Sequence, residues 1–131
     1  MKTPADSNPR EVCLIDDDPS VLRSMQYLLA SDGIEVRAFN KPEDFLAHAA
    51  SHRVSVVVTD IWMAGITGLE ILARMCAISP RPRVIVITAR DDLAARVTAM
   101  QIGPVAFFIK PFNDEQFLAA VHDAIGQVSE S

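Results

Sequence analysis

Val54-Ser-Val-Val-Val-Thr-Asp60 and Val84-Ile-Val-Ile-Thr88 are two short, almost wholly apolar and β-branched runs, each closed by a residue with polar chemistry. A half-exposed strand alternates apolar with polar, whereas a continuous apolar run of this length fits a strand covered on both faces. Strands covered on both faces belong to a parallel sheet with helices in the connections. Three further runs of the same kind bring the expected strands to Val12–Ile15, Val36–Phe39, Val54–Thr59, Val84–Thr88 and Ala106–Ile109, with the third and fourth in the interior. Between them apolar residues recur at helical spacing: Val21, Leu22, Met25, Leu28 and Leu29; Leu69, Leu72, Met75 and Cys76; Leu93, Val97 and Met100; Phe117, Val121, Ala124, Ile125 and Val128. A shorter helix is expected from Pro42 to about Ala50.

Start signals agree with these positions. Asp18 precedes Pro19, and Asn40, Thr67 and Asn113 each stand three residues before Glu43, Glu70 and Gln116. Gly33, Gly103 and Gly126 stand where helices are expected to stop. Strand and helix therefore alternate five times, which predicts an α/β domain, a (βα)5 unit with a doubly wound parallel five-stranded sheet. The domain is expected over residues 11–128, behind a flexible arm at 1–10 and ahead of a polar end at 129–131.

The 131 residues, half of them hydrophobic and 22% charged, suit one such domain without disulfide or metal staples. Lys and Arg number 12 against 17 Asp and Glu, and they are scattered, which argues against a nucleic-acid binder. The apolar runs are too short to cross a bilayer and Met1–Arg10 is too polar for a signal peptide, so no membrane role and a cytoplasmic location are expected. Cys13 and Cys76 lack metal-ligand spacing and read as small core hydrophobes. His48, His52 and His122 have no partner at ligand or triad spacing and read as surface or helix-end residues.

In a parallel sheet, ligands collect at the carboxyl ends of the strands. There the first strand ends in Asp16-Asp17-Asp18, the third in Asp60, the fourth in Thr88 and the fifth in Lys110-Pro111. Asp18 reads as a helix cap. If Asp16, Asp17 and Asp60 converge, each close pair of carboxylates costs about 4 kcal/mol, so cations are needed. Lys110 supplies one charge and a divalent ion two; oxygen ligands without His or Cys point to Mg²⁺, with Mn²⁺ as the alternative. Carboxylate, hard cation, hydroxyl and lysine together suit phosphoryl transfer to a carboxylate. Which aspartate is the nucleophile stays open at this level; Asp60, alone at the end of a central strand and followed by Gly65 and Gly68, is the better placed.

Taken in order, the acidic pair, Asp60 with Met63 and Gly68 in the pattern D-x-x-M-x-x-x-x-G, Thr88-Ala89 and Lys110-Pro111-Phe112 closely resemble the receiver domain of two-component response regulators, from about Glu11 to Val128. The resemblance implies a flavodoxin-like sheet of strand order 2-1-3-4-5. It implies Asp60 as phosphoacceptor, Mg²⁺ held by Asp16, Asp17, Asp60 and the Trp62 main-chain carbonyl, and Thr88 and Lys110 on the phosphoryl oxygens. It also implies a cis Lys110-Pro111 peptide, and Thr88 and Phe107 as the switch pair that reshapes the face of the fourth helix, fifth strand and fifth helix. The domain is then a self-phosphorylating and self-dephosphorylating signalling protein rather than a conventional enzyme. A sensor histidine kinase or phosphotransfer protein is the implied donor, docking against Pro19, Ser20, Met25 and the loops of Ala64 and Pro111. The opposite face, with Val97, Gln101 and Phe107, is the implied homodimer or effector surface.

Some positions depart from the usual pattern. Ala64 stands where proline is usual, which is expected to loosen the loop after Asp60. Trp62 and Arg90, two places past Asp60 and Thr88, are bulky and expected to slow loss of the phosphoryl group. Gly103-Pro104 stiffens the start of the fifth strand. The style of the runs resembles receivers joined to helix-turn-helix transcription regulators, so either a stand-alone receiver or one cut from a longer regulator is expected, with Ser129-Glu130-Ser131 suiting the start of a linker.

Rival readings fare worse. A haloacid-dehalogenase-type phosphatase needs an acid two residues past the nucleophile, where Trp62 stands. A flavin binder needs a phosphate-cradling loop where this chain has three aspartates. A phosphorylation-independent receiver-like interaction module is the remaining alternative.

Overall fold

The computed structural model describes residues 10–129, with side chains through Gly126. The expected arm, apart from Arg10, and the end residues Glu130 and Ser131 lie outside the described residues. Five strands, β1 (Val12–Ile15), β2 (Val36–Phe39), β3 (Val56–Asp60), β4 (Arg83–Thr88) and β5 (Ala106–Ile109), alternate with five helices, α1 (Pro19–Ser31), α2 (Pro42–Ser51), α3 (Gly68–Cys76), α4 (Leu93–Ile102) and α5 (Asp114–Ser129). The strands form one parallel sheet in the order β2-β1-β3-β4-β5. β3 therefore sits at the centre and β4 inside the edge, as their continuous apolar runs require.

Successive strand side chains point to opposite faces, and each face has its own core. Val12, Leu14, Val56, Val58, Ile85 and Ile87 pack under α1 and α5, where Leu29, Phe117 and Val121 are fully buried. Cys13, Ile15, Val57, Val84 and Val86 pack under α2, α3 and α4, with Phe45, Ile71 and Leu72. Full burial of a large apolar side chain such as Phe45 or Phe117 stabilises by about 2 to 3 kcal/mol.

Local signals place the helices. The Asp18 carboxylate accepts from the Ser20 and Val21 amides at 2.9 and 3.4 Å, and Pro19 opens α1. Thr67 and Asn113 accept from Glu70 and Gln116 amides, as their spacing predicts. Asn40 does not cap α2: the cap position is Lys41, ahead of Pro42, and it makes no side-chain capping bond. Gly126 does not end α5, which runs on to Ser129; a single glycine costs a helix only about 1 kcal/mol, too little to stop one packed on the sheet. β3 starts two residues later than expected and takes in Asp60 as its last residue, because it pairs with Ile87 of β4.

On α4, Leu93, Val97 and Met100, which mark the helix by their spacing, are 73%, 46% and 55% exposed, while Ala95 and Ala99 meet the sheet. Cys13 is core, but Cys76 is only partly buried, its Sγ 3.9 Å from the Ile102 carbonyl. His48 and His52 stack at 4.2 Å between ring centroids on the end of α2, and His122 pairs with Asp32 of the α1 end at 2.7 Å, so these histidines are helix-end and surface residues.

Candidate functional site

The carboxyl ends of β1, β3, β4 and β5 carry Asp16, Asp60, Thr88 and Lys110 to one edge of the sheet. Asp16 is the first residue past β1; it is 1% exposed, its Oδ1 accepts from the Asp18 amide at 2.9 Å, and its Oδ2 lies 3.4 Å from Lys110 Nζ. Lys110 reaches that point because its amide donates to the Thr88 carbonyl at 2.7 Å, which prolongs the β4-β5 pairing past Ile109. The Lys110-Pro111 peptide is cis, as the motif implies; Ser79-Pro80 is cis as well.

Asp60 Oδ1 accepts from the Ile61 amide at 2.8 Å. Burial above all, then the Asp16 carboxylate, pushes its pKa up to about 6, while Lys110 and the Ile61 and Trp62 amides pull the other way. The loop after Asp60 is folded tightly back. Gly68 donates to the Ile61 carbonyl at 2.9 Å, and a Cβ there would fall on the Asp60 main chain and 2.8 Å from Ile61 Cα, so only glycine fits.

Asp17 is exposed and turned across this loop, its Oδ2 accepting from the Ala64 amide at 2.9 Å. Proline has no amide hydrogen, so Ala64 supplies a tether that the usual residue cannot. The expected loosening is thereby corrected: this departure ties the loop to the end of β1.

Thr88 is buried, and its Oγ1 both donates to the Arg90 carbonyl and accepts from the Arg90 amide, each at 3.2 Å. The Arg90 guanidinium lies 4.5 Å from the centroid of the Trp62 ring, while Trp62 Nε1 is buried with no hydrogen-bond partner. The indole is therefore held through its faces and not by its polar edge. Phe107 is half-buried on β5 with the Arg96 guanidinium 5.9 Å from its ring centroid. Sequence reasoning placed Trp62, Arg90 and Phe107 near the site but missed both arginine contacts, which join residues distant in the chain. The Thr88–Arg90 turn had a local signal, since threonine hydroxyls readily bond the main chain two residues on.

Asp16 raises the pKa of Asp60 despite Lys110, so this corner holds more negative charge than its lysine relieves. The oxygen donors of Asp16, Asp17, Asp60 and the Trp62 carbonyl suit a hard divalent cation such as Mg²⁺ or Mn²⁺. Among the described residues no three carboxylate, His or Cys side chains stand close enough to hold an ion by themselves. Main-chain and water oxygens would have to complete the shell, as Mg²⁺ prefers.

The receiver-domain family of response regulators matches residues 12–122, most of the chain. This chain belongs to that family. The receiver is 37% identical over 119 residues to the transcriptional regulatory protein FixJ of Azorhizobium caulinodans, covering 91% of this chain and 56% of that protein. It is 34% identical to the DNA-binding transcriptional regulator NtrC of Salmonella typhimurium, covering 91% of this chain and 25% of that one. The receiver thus spans little more than half of its FixJ relative. Among solved structures, that of FixJ-N superposes with a TM-score of 0.80 at 34% identity, covering 88% of this chain and 93% of that one. A beryllofluoride-activated NtrC4 receiver domain dimer gives 0.81 at 26% identity, covering 91% and 98%. No helix of the described residues is long and apolar enough to cross a membrane.

Proposed function

We propose that this receiver is a phosphorylation-controlled switch in which Asp60 takes a phosphoryl group from the phosphohistidine of a sensor histidine kinase or phosphotransfer protein. The observation that carries the reading is the meeting of Asp60, Asp16 and Lys110 at the ends of three strands, with Asp60 alone at the end of the central one. A carboxylate oxygen of Asp60 attacks phosphorus, the phosphorus–nitrogen bond breaks, and the imidazole leaves with the bonding electrons and takes a proton. Asp16, Asp17, Asp60 and the Trp62 carbonyl would hold a divalent cation, which would supply charge stabilisation for the phosphoryl oxygens. Lys110 shares that role from the β5 side. Thr88, once it leaves Arg90, donates its hydroxyl to the phosphoryl group, and the space it vacates suits Phe107.

The Arg90 guanidinium lies over the ring of Trp62, the residue two places past the acceptor, which supports their reading as residues that slow attack by water. The receiver turns over only its own phosphoryl group and is in that sense not a conventional enzyme. For the donor, a groove of about 370 Å³ lined by Ser20, Val21, Met25, Lys110 and Pro111 supports docking of a kinase or phosphotransfer helix along α1. For the output, the exposed Leu93, Val97 and Met100 and an adjoining groove of about 560 Å³ reaching Phe107 support the α4-β5-α5 face as homodimer or effector surface. Kinship with FixJ and NtrC supports transcription control, a cytoplasmic setting and an output domain, while the net charge of -5 speaks against nucleic-acid contact by the receiver itself.

Trp62 is the only tryptophan and adjoins Asp60 through its main chain, so it reports on the site. Mg²⁺ followed by beryllofluoride is expected to change its fluorescence, and Asp60→Ala to abolish the second step. Silence in the wild type, or a response that survives Asp60→Ala, overturns the reading and leaves the phosphorylation-independent module in its place.

A further inference from the structure

Three consecutive residues after β4 are each tied to a different part of the molecule. Arg90 holds the Thr88 hydroxyl with both its amide and its carbonyl, and lays its guanidinium over Trp62 at 4.5 Å. Asp91 Oδ1 stands 3.6 Å from Nη2 of Arg96, whose guanidinium also lies over Phe107 at 5.9 Å. Asp92 Oδ1 caps α4 by accepting from the Ala95 amide at 2.9 Å. One end of this segment thus touches the residue two places past Asp60, and the other reaches Phe107 through a single side chain of α4.

We propose that Arg90 and Asp91 form a two-ended clasp that holds Thr88 and Phe107 in one resting arrangement, Arg90 gripping Trp62 and Asp91 gripping Arg96. The proposal rests on the phosphoacceptor reading only for what the clasp resists. The Thr88 hydroxyl has two main-chain bonds to the same residue, so it cannot turn to a new partner unless Arg90 moves or both bonds break. Arg90 is anchored in turn by its side chain on Trp62. Displacement of Arg90 carries the adjoining Asp91, and with it the carboxylate paired with Arg96 where that guanidinium lies over Phe107. The side chains of Arg90, Asp91 and Arg96 are exposed, and an exposed cation–π pair or ion pair is worth about two- to fivefold in an equilibrium constant. Contacts this weak suit a switch: together they bias two arrangements without locking either. Arg90, Asp91 and Arg96 are accordingly positioning residues, acting through Thr88 and Phe107.

Cross-readouts test the clasp in the full chain. In the ligand-free protein, NMR follows the Thr88 side-chain rotamer and the Phe107 ring signals in the wild type, Arg90→Ala, Arg96→Ala, the double variant and Arg90→Lys. Arg90→Ala is expected to shift the Phe107 signals although Arg90 does not touch Phe107, and Arg96→Ala to release the Thr88 rotamer although Arg96 does not touch Thr88. Arg90→Lys, which keeps a cation over Trp62, is expected to stay near the wild type. Calorimetric titration with Mg²⁺ and beryllofluoride is expected to show binding about threefold tighter in each alanine variant, with the double variant gaining less than the product of the two. Phe107 signals unmoved by Arg90→Ala, or single effects that multiply independently, overturn the clasp. Failure of the wild type to bind beryllofluoride at all sinks the phosphoacceptor reading instead, and the ligand-free signals then still decide the clasp.

Discussion

Asp60 is where opposing forces can be weighed one by one. Burial and the Asp16 carboxylate oppose its ionisation, while Lys110 and two amides favour it; the first pair wins, and the pKa stands at about 6 against an ordinary 3.8. The folded protein therefore holds a proton on Asp60 over a pH range in which the unfolded chain has released it. Stability contributed by that proton is present in acid and is lost as pH rises from about 4 to about 6. Asp60→Asn carries no charge to bury. In metal-free buffer at pH 7.5 the variant is expected to be more stable by about 1 kcal/mol, after discounting for solvent at a partly exposed group, or about 4 °C in Tm. That advantage should shrink as pH falls through the same window, which thermal unfolding at pH 7.5 and 4.5 measures. Equal stability at pH 7.5 would mean that Lys110 and the two amides fully offset the burial and the Asp16 charge. Asp16, Asp60, Thr88 and Lys110 were legible as site residues because a parallel sheet sends the ends of its strands to one edge. The bond from Ala64 to Asp17 was not, since it depends on how the loop after Asp60 folds back.

Among the elements, α4 shows most clearly that a periodic pattern marks a helix without telling which of its faces is packed. Leu93, Val97 and Met100 recur at helical spacing and do mark the helix, yet they face outward, and the close approach to the sheet is made by Ala95 and Ala99. Small residues let a helix lie close to its neighbour, and a larger side chain there has to push it away. Ala99, fully buried against the core of that face, is thus the sensitive position. Ala99→Leu is expected to cost about 1 to 3 kcal/mol by overpacking, whereas Met100→Gln, one residue on, should change stability by less than about 0.5 kcal/mol. Urea unfolding of the two variants checks the contrast. Comparable losses would mean that α4 packs through its larger side chains after all. The same outward stripe is what makes α4 suited to an interface, because a helix whose apolar side chains remain exposed has area left to bury.

For the molecule as a whole, the acidic corner is a fault in an otherwise well-packed fold until something neutralises it. A ligand that binds only the folded state stabilises it by mass action, by about 1.4 kcal/mol at ten times its Kd. Mg²⁺ at that level is expected to raise the wild-type unfolding free energy by this amount. Asp16→Ala should largely remove the increment, because Asp16 is both a ligand candidate and the charge that raises the pKa of Asp60. Denaturant unfolding with and without Mg²⁺ reads the difference, with Ca²⁺ as the control for a hard ion of different size. An increment that persists in Asp16→Ala would place the ion elsewhere.

The amino-acid sequence by itself determined the number and order of strands and helices, the choice of a doubly wound parallel sheet, and the four strand-end side chains of the site. These follow from local periodicity and from a topology that leaves few alternatives. Only the tertiary structure decided that Ala64 tightens its loop, that α4 turns its alanines inward, and that Arg90, Asp91 and Arg96 join Trp62 to Phe107. The physical reason is common to all three. Each depends on which of several sterically allowed contacts a surface segment makes with chain that is remote in sequence, and no local pattern records that choice. Periodicity tells what an element is; packing alone tells which way it faces and what it holds.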